Sequence, residues 1–131
     1  MATLGQYNAA EMTAQEVFDA GAAHLLEQGK RSISIDKDGI GRCVYSGQEG
    51  RACGAAPFIQ NYVPSMEGVG WNILVRGFEQ TPRHRSLIVS LQACHDSTSP
   101  CDWKLELARL AGDKGLNPAI LDNYEAITDD D

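Results

Sequence analysis

The sequence predicts an α+β protein: a single small domain with a capped N-terminal helix, a short antiparallel β-ribbon and two to three C-terminal helices. Three observations predict it. Apolar residues recur at helical spacing from Val17 to Leu26 and again from Leu87 to Ala111. Between those blocks, Ser32-Ile33-Ser34-Ile35 alternates with period two and is followed by glycine-containing turns. The chain has 131 residues, 43% of them hydrophobic and 22% charged, which suits one core in one domain spanning residues 1–131.

Residues 1–12 are short of apolar anchors and read as a loose arm. Thr13-Ala-Gln-Glu16 is a capping box, in which the Thr hydroxyl accepts from the third amide and the Glu reaches back. The helix that follows places Val17, Phe18, Gly21, Ala22, Leu25 and Leu26 on its apolar face. Gly29 supplies a left-handed stop, and Lys30 and Arg31 sit by the negative helix end. Ser32–Ile35 and Cys43–Tyr45 read as short strands around the Asp36–Gly39 turn, with Arg51–Cys53 as a third that pairs back. Pro57 and Pro64 break the pattern, so Phe58, Ile59, Tyr62 and Val63 read as core plugs in a loop or short helix. Glu67 to Phe78, with Trp71, Ile73, Leu74, Val75 and Phe78, fits a strand or a short helix and is read as a short helix. Thr81-Pro82 is an N-cap with Pro at the first helical position, opening a helix to about His95 with Leu87, Ile88, Leu91 and Cys94 buried. Ser99-Pro100 repeats that signal, for a helix with Trp103, Leu107, Leu110 and Ala111 inward and Gly115 as its stop. Asn117-Pro118 starts a last short helix through Tyr124, and residues 126–131 read as a disordered acidic tail.

The net charge of −7 disfavours general binding to nucleic acid, whose phosphates would be repelled. The same charge suits occupation of a basic nucleic-acid groove on another protein, although solubility alone accounts for an acidic tail. No apolar run has the length needed to cross a membrane, and the start of the chain lacks the basic and apolar parts of a secretory signal. A cytoplasmic protein is therefore expected. In a reducing compartment its four cysteines are expected as thiols, and the default place for each is the core.

Four blocks are too irregular for packing periodicity alone. They are His24-Leu-Leu-x-Gln-Gly-x-x-Ser32, Cys43-x-Tyr-x-Gly-x-x-Gly-x-x-Cys53, Tyr62-x-Pro-x-Met-Glu-Gly68 and Leu91-Gln-x-x-His-Asp96. Together with Trp103 they resemble a family of small phage and prophage proteins, over roughly residues 14 to 116. The chain departs from the family pattern at Ser46, Ala52, Gly54-Ala55-Ala56 and Gln60-Asn61. The resemblance implies a phage-encoded protein working in the cytoplasm of a bacterial host. Small size, acidity and the lack of a catalytic signature then lead to one expectation: a protein that binds and inhibits a host protein or ribonucleoprotein, in an anti-defence, anti-CRISPR-like role. A homodimer is compatible with so small a chain. No cofactor is expected.

Several side chains are candidates for chemistry or contact. Cys53 as nucleophile, His95 as base and Asp96 as orienting acid would make a cysteine-dependent enzyme or a nucleotide-binding protein. Adjacent side chains at a helix end diverge, which makes Asp96 a poor partner for His95 and leaves Asp19 or Glu67 as alternatives. Cys43, Cys53, Cys94 and Cys101 are thiol ligands for zinc, but no C-x-x-C pair is present. A hairpin would also allow a Cys43–Cys53 disulfide, which the expected compartment discourages. The Asp36–Gly41 turn lacks the closing carboxylate of a calcium loop. Arg83 and Arg85, with Arg76, form the main basic island and suit an acidic partner or a nucleotide phosphate, against a default of a solvated helix face. Tyr62, Glu67 and Trp71 are the acidic and aromatic candidates for partner contact. His24 borders the apolar face of the first helix, where a hydrogen-bonded core histidine is the default.

Overall fold

A computed structural model describes residues 5–35, 41–44, 47, 51–59 and 84–128. Among the described residues three α-helices form the frame: α1 (Ala14–Gln28), α2 (Arg85–Ser97) and α3 (Trp103–Lys114). Short 3-10 turns at Ala9–Glu11, Ala56–Phe58, Pro100–Asp102 and Ala119–Asn123 fill in around them. Among the described residues no helix is long and apolar enough to cross a membrane.

The first helix begins where its cap dictates. The Thr13 hydroxyl accepts from the Glu16 amide at 3.1 Å, and Glu16 accepts from the Thr13 amide at 2.9 Å. It ends at Gly29, whose φ of 70° is left-handed and whose amide donates to the Leu25 carbonyl. Its buried stripe is Val17, Phe18, Gly21, Ala22, Leu25 and Leu26, with His24 added. Leu87, Ile88 and Leu91 of α2 and Trp103, Leu107 and Ala111 of α3 join it in the core, with Cys53, Phe58 and Ile59 from between α1 and α2 in sequence. Gly21 faces α2 closely: a Cβ there would lie 2.6 Å from a Leu91 methyl.

The expected α+β class is not what folds; over the described residues the protein is all-α in class. Ile33–Ile35 (β1) and Gly41–Cys43 (β2) pair antiparallel over three residues each, with Ile33 opposite Cys43. A pair of that length has no stability of its own, and among the described residues no further strand extends it into a layer against the helices. The core is instead built by helix packing.

Two further expectations change. The helix expected from Thr81-Pro82 starts at Arg85, because His84 holds a left-handed φ of 63° that α-helical geometry cannot include. Thr81 and Pro82 themselves lie outside the described residues, as does the helix expected over residues 67–78. The N-terminal arm is not loose from Gly5 onward. The amides of Gly5 and Tyr7 donate to the Ala56 and Pro57 carbonyls at 2.9 Å each, Ala9 is buried, and Tyr7 lies against Phe58. At the other end, Ile127 packs on the core, and the Tyr124 hydroxyl donates to the Glu27 carboxylate of α1 at 2.5 Å.

Candidate functional site

His24, Gln28, Ser32 and Gln92 of the irregular blocks converge on one object, the strap of backbone from Arg51 to Ile59, and His95 and Asp96 hold the Ser32 amide beside it. Helical spacing explains how. His24 and Gln28 are four apart on α1, and Gln92, His95 and Asp96 fall three and four apart on α2, so each set shares a face.

From α1, Gln28 closes on the Ala52 peptide from both sides. Its amide nitrogen donates to the Ala52 carbonyl at 2.9 Å, and its oxygen accepts from the Ala52 amide at 2.7 Å. His24 donates from Nε2 to the same carbonyl at 2.8 Å. Burial of this ring penalises its charged form and moves its pKa below the ordinary value of 6.5, so it is a neutral donor near neutral pH.

From α2, Gln92 accepts from the Ala55 amide at 3.1 Å and donates to Asp96 at 3.0 Å. Asp96 also receives Nδ1 of His95 at 2.6 Å. The other ring nitrogen, Nε2, is 2.7 Å from the Ser32 amide nitrogen. A backbone amide only donates, so Nε2 accepts and the ring proton sits on Nδ1. The ring stacks on Trp103 with centroids 5.7 Å apart, and both residues are fully buried.

Gly54 lets the strap come this close. A Cβ at this position would lie 2.3 Å from the Leu91 carbonyl oxygen and 2.6 Å from its carbon. The strap therefore rests directly on the α2 backbone.

The expected catalytic set is partly assembled. Asp96 does orient His95, contrary to the expectation that neighbours diverge. The carboxylate is partly exposed at the end of α2 and reaches back over the buried ring. Both His95 nitrogens are engaged, however, which leaves no lone pair for the Cys53 thiol, and Cys53 is fully buried. Asp19 is bonded to Gln15 instead.

Of the thiol ligands considered for zinc, Cys53 and Cys94 are buried and Cys101 is half-exposed; the Cys43 side chain lies outside the described residues. Among the described residues no group of three or more His, Cys, Asp or Glu stands close enough to hold a metal ion. Burial, with the Glu106 charge, pushes the Cys94 thiol up to about 12. Of the contact candidates, Arg85 is half-buried at the start of α2, while Tyr62, Glu67, Trp71, Arg76 and Arg83 lie outside the described residues. His84, inside the basic island, turns its Nε2 to the Met12 carbonyl at 2.7 Å.

Gln28 and Gln92 stand in the sequence only as letters of the motif blocks, Ser32 as one of those letters and the start of a strand, and Gly54 only as a departure from the pattern, with no role at the site attached to any of them. The spacing of His24 to Gln28 and of Gln92 to Asp96 was the available signal: polar side chains repeated on a helix face that is otherwise apolar.

Fold and network together define a small helical protein whose conspicuous polar motif grips its own backbone. No protein-family model matches the chain, and no curated protein or solved structure matches it significantly.

Proposed function

We propose that this chain acts by surface contact: a small acidic protein, phage-encoded as its motifs suggest, that binds and inhibits a host protein or ribonucleoprotein in the bacterial cytoplasm. An anti-defence role fits that description. The observation that carries the reading is the engagement of both His95 nitrogens, by the Ser32 amide and by Asp96, beside a fully buried Cys53. The residues best suited to chemistry are directed inward, which favours work done by the surface. The net charge of −7 favours a basic partner face, such as a groove that otherwise holds nucleic acid.

The test is affinity capture from bacterial lysate, followed by reconstitution of the purified pair. A stoichiometric complex that inhibits the partner's activity is expected, with salt-dependent association. A preparation that yields no complex, together with rapid alkylation of Cys53 near neutral pH, overturns the reading. That outcome moves the weight to a cysteine-dependent enzyme or nucleotide-binding protein using Cys53 and His95, which requires His95 Nε2 to leave the Ser32 amide.

A further inference from the structure

We propose that the contact between Ser32 and His95 is a proton-released latch: acid frees the end of α2 from the segment that follows α1 while the rest of the fold stays closed. The latch goes beyond the surface-binding reading and does not depend on it.

Only one protonation state of the ring fits the contact. Nε2 of His95 lies 2.7 Å from the Ser32 amide nitrogen, and a backbone amide can only donate. Nδ1 lies 2.6 Å from the Asp96 carboxylate and carries the ring proton. A second proton has to sit on Nε2, where two N–H groups would then point at each other. No ring flip relieves this, because both nitrogens of an imidazolium donate. The charged ring and the bond to Ser32 therefore exclude one another. Ser32, His95 and Trp103 are all fully buried, so the amide of the closed state has no solvent to turn to.

The surroundings let the charged ring form at the expense of that bond. On α2 itself, Asp96 is an anionic partner that stays bonded to the imidazolium, and Gln92 steadies it at 3.0 Å. From α1 comes His24, which burial keeps neutral and whose charged form His95 repels. The segment after α1 and the strap carry Arg31 and Arg51, the latter donating to the Arg31 carbonyl at 3.4 Å, and the fully buried Cys53. Neither guanidinium accepts a hydrogen bond, so neither replaces the ring as acceptor. From α3 the ring meets Trp103, which does not titrate.

The remaining bonds confine the opening. The Ser32 hydroxyl donates to the Arg51 carbonyl at 3.2 Å, and the Ser32 carbonyl accepts from the Val44 amide at 3.0 Å, so Ser32 stays with the strap and the strand pair. Its amide makes its hydrogen bond to α2. The strap keeps a separate tie to α2, from the Ala55 amide to Gln92 at 3.1 Å, in which neither partner titrates. Acid thus opens the Ser32 end and leaves the Ala55 end closed.

The experiment is amide hydrogen exchange by two-dimensional NMR on the full chain from about pH 7.5 to 5, the range in which histidine titrates. Each rate is divided by the intrinsic rate at that pH, and nitrogen-15 spectra of the histidine rings are recorded alongside. The expected result is a fall in Ser32 protection with acid, by up to about ten-fold per pH unit, while the Ala55 amide keeps its protection. The fall shares its midpoint with protonation of His95 Nε2. His24→Gln leaves the response in place. His95→Gln, whose side-chain oxygen accepts from the amide throughout this range, abolishes it. Ser32 protection that stays level down to pH 5 overturns the proposal, and the parent chain alone decides this, whether or not a variant folds. Loss of protection at Ser32 and Ala55 together overturns it too, in favour of acid unfolding of the whole contact between strap and helix. A response that persists in folded His95→Gln refutes the ring as its source.

Discussion

Replacing Gly54 by alanine tests the strap more sharply than any change to the polar side chains. The added methyl carbon would sit 2.3 Å from the Leu91 carbonyl oxygen and 2.6 Å from its carbon. Both are helix backbone atoms and cannot rotate aside. Gly54 is not among the left-handed glycines, so the cost comes from contact alone. The strap must lift, at an overpacking cost of about 1–3 kcal/mol. Lifting also stretches the two bonds from Gln28 to Ala52 and the bond from Gln92 to Ala55, each worth about 1 kcal/mol net. Because these losses overlap, a total of about 3 kcal/mol is expected, or a fall in Tm of roughly 10 °C for a chain of this size. Gly112 is the matched control. It lies inside α3 with nothing within 4 Å of its would-be Cβ, and Gly112→Ala should stabilise by about 0.5–1 kcal/mol through helix propensity. Urea and thermal unfolding of both variants measure the contrast. A Gly54→Ala protein within about 0.5 kcal/mol of the parent would refute the direct seating of the strap on α2.

Other expectations follow from the same network. His24 has a pKa below its unfolded value, so the unfolded chain binds more protons as pH falls; its contribution to stability is complete above about 6.5 and declines below it, by at most about 1.4 kcal/mol per pH unit. Unfolding curves from pH 7.5 to 5 should show that decline, and His24→Gln should flatten it; an unchanged slope would clear His24 of the effect. Gln28→Leu leaves the buried Ala52 amide without its acceptor and should cost about 2–3 kcal/mol in urea unfolding. In a Cys43→Ser background, alkylation of the native protein followed by mass spectrometry should mark the half-exposed Cys101 first, while Cys94, held up to about 12, and the fully buried Cys53 react slowly. Fast labelling of Cys53 would contradict its position in the core.

What the sequence revealed and what it hid divide along physical lines. The capping box at Thr13 and the stops at Gly29 and Gly115 are local, made within one turn of chain, and they were legible. So were the apolar stripes, which depend on period alone. The α+β class failed because alternation over four residues looks the same in a sheet layer and in a three-residue pair beside a helical core. The start of α2 failed because a good local signal at Thr81-Pro82 was overridden by the left-handed His84. The docking of residues 5–7 rests on backbone bonds to Ala56 and Pro57, which leave no trace in side-chain pattern. In the site, His95 and Cys53 stood out for their chemistry, and Gln28 and Gln92 only as letters of a motif. An amide that clasps a peptide has neither a titrating group nor a period to give it away.

The Ser32 amide has a consequence for how the molecule opens. Its proton points at an imidazole nitrogen of a residue 63 positions away, in a fully buried setting. The bond is non-local, joining the end of α2 to the segment that follows α1. Deuterium reaches that proton only when α2 parts from the end of the segment that follows α1. Small local fraying at the termini does not suffice. One amide thus serves as a clock for the parting of α2 from that segment, and its exchange rate separates a ligand that clamps this contact from one that touches only the surface.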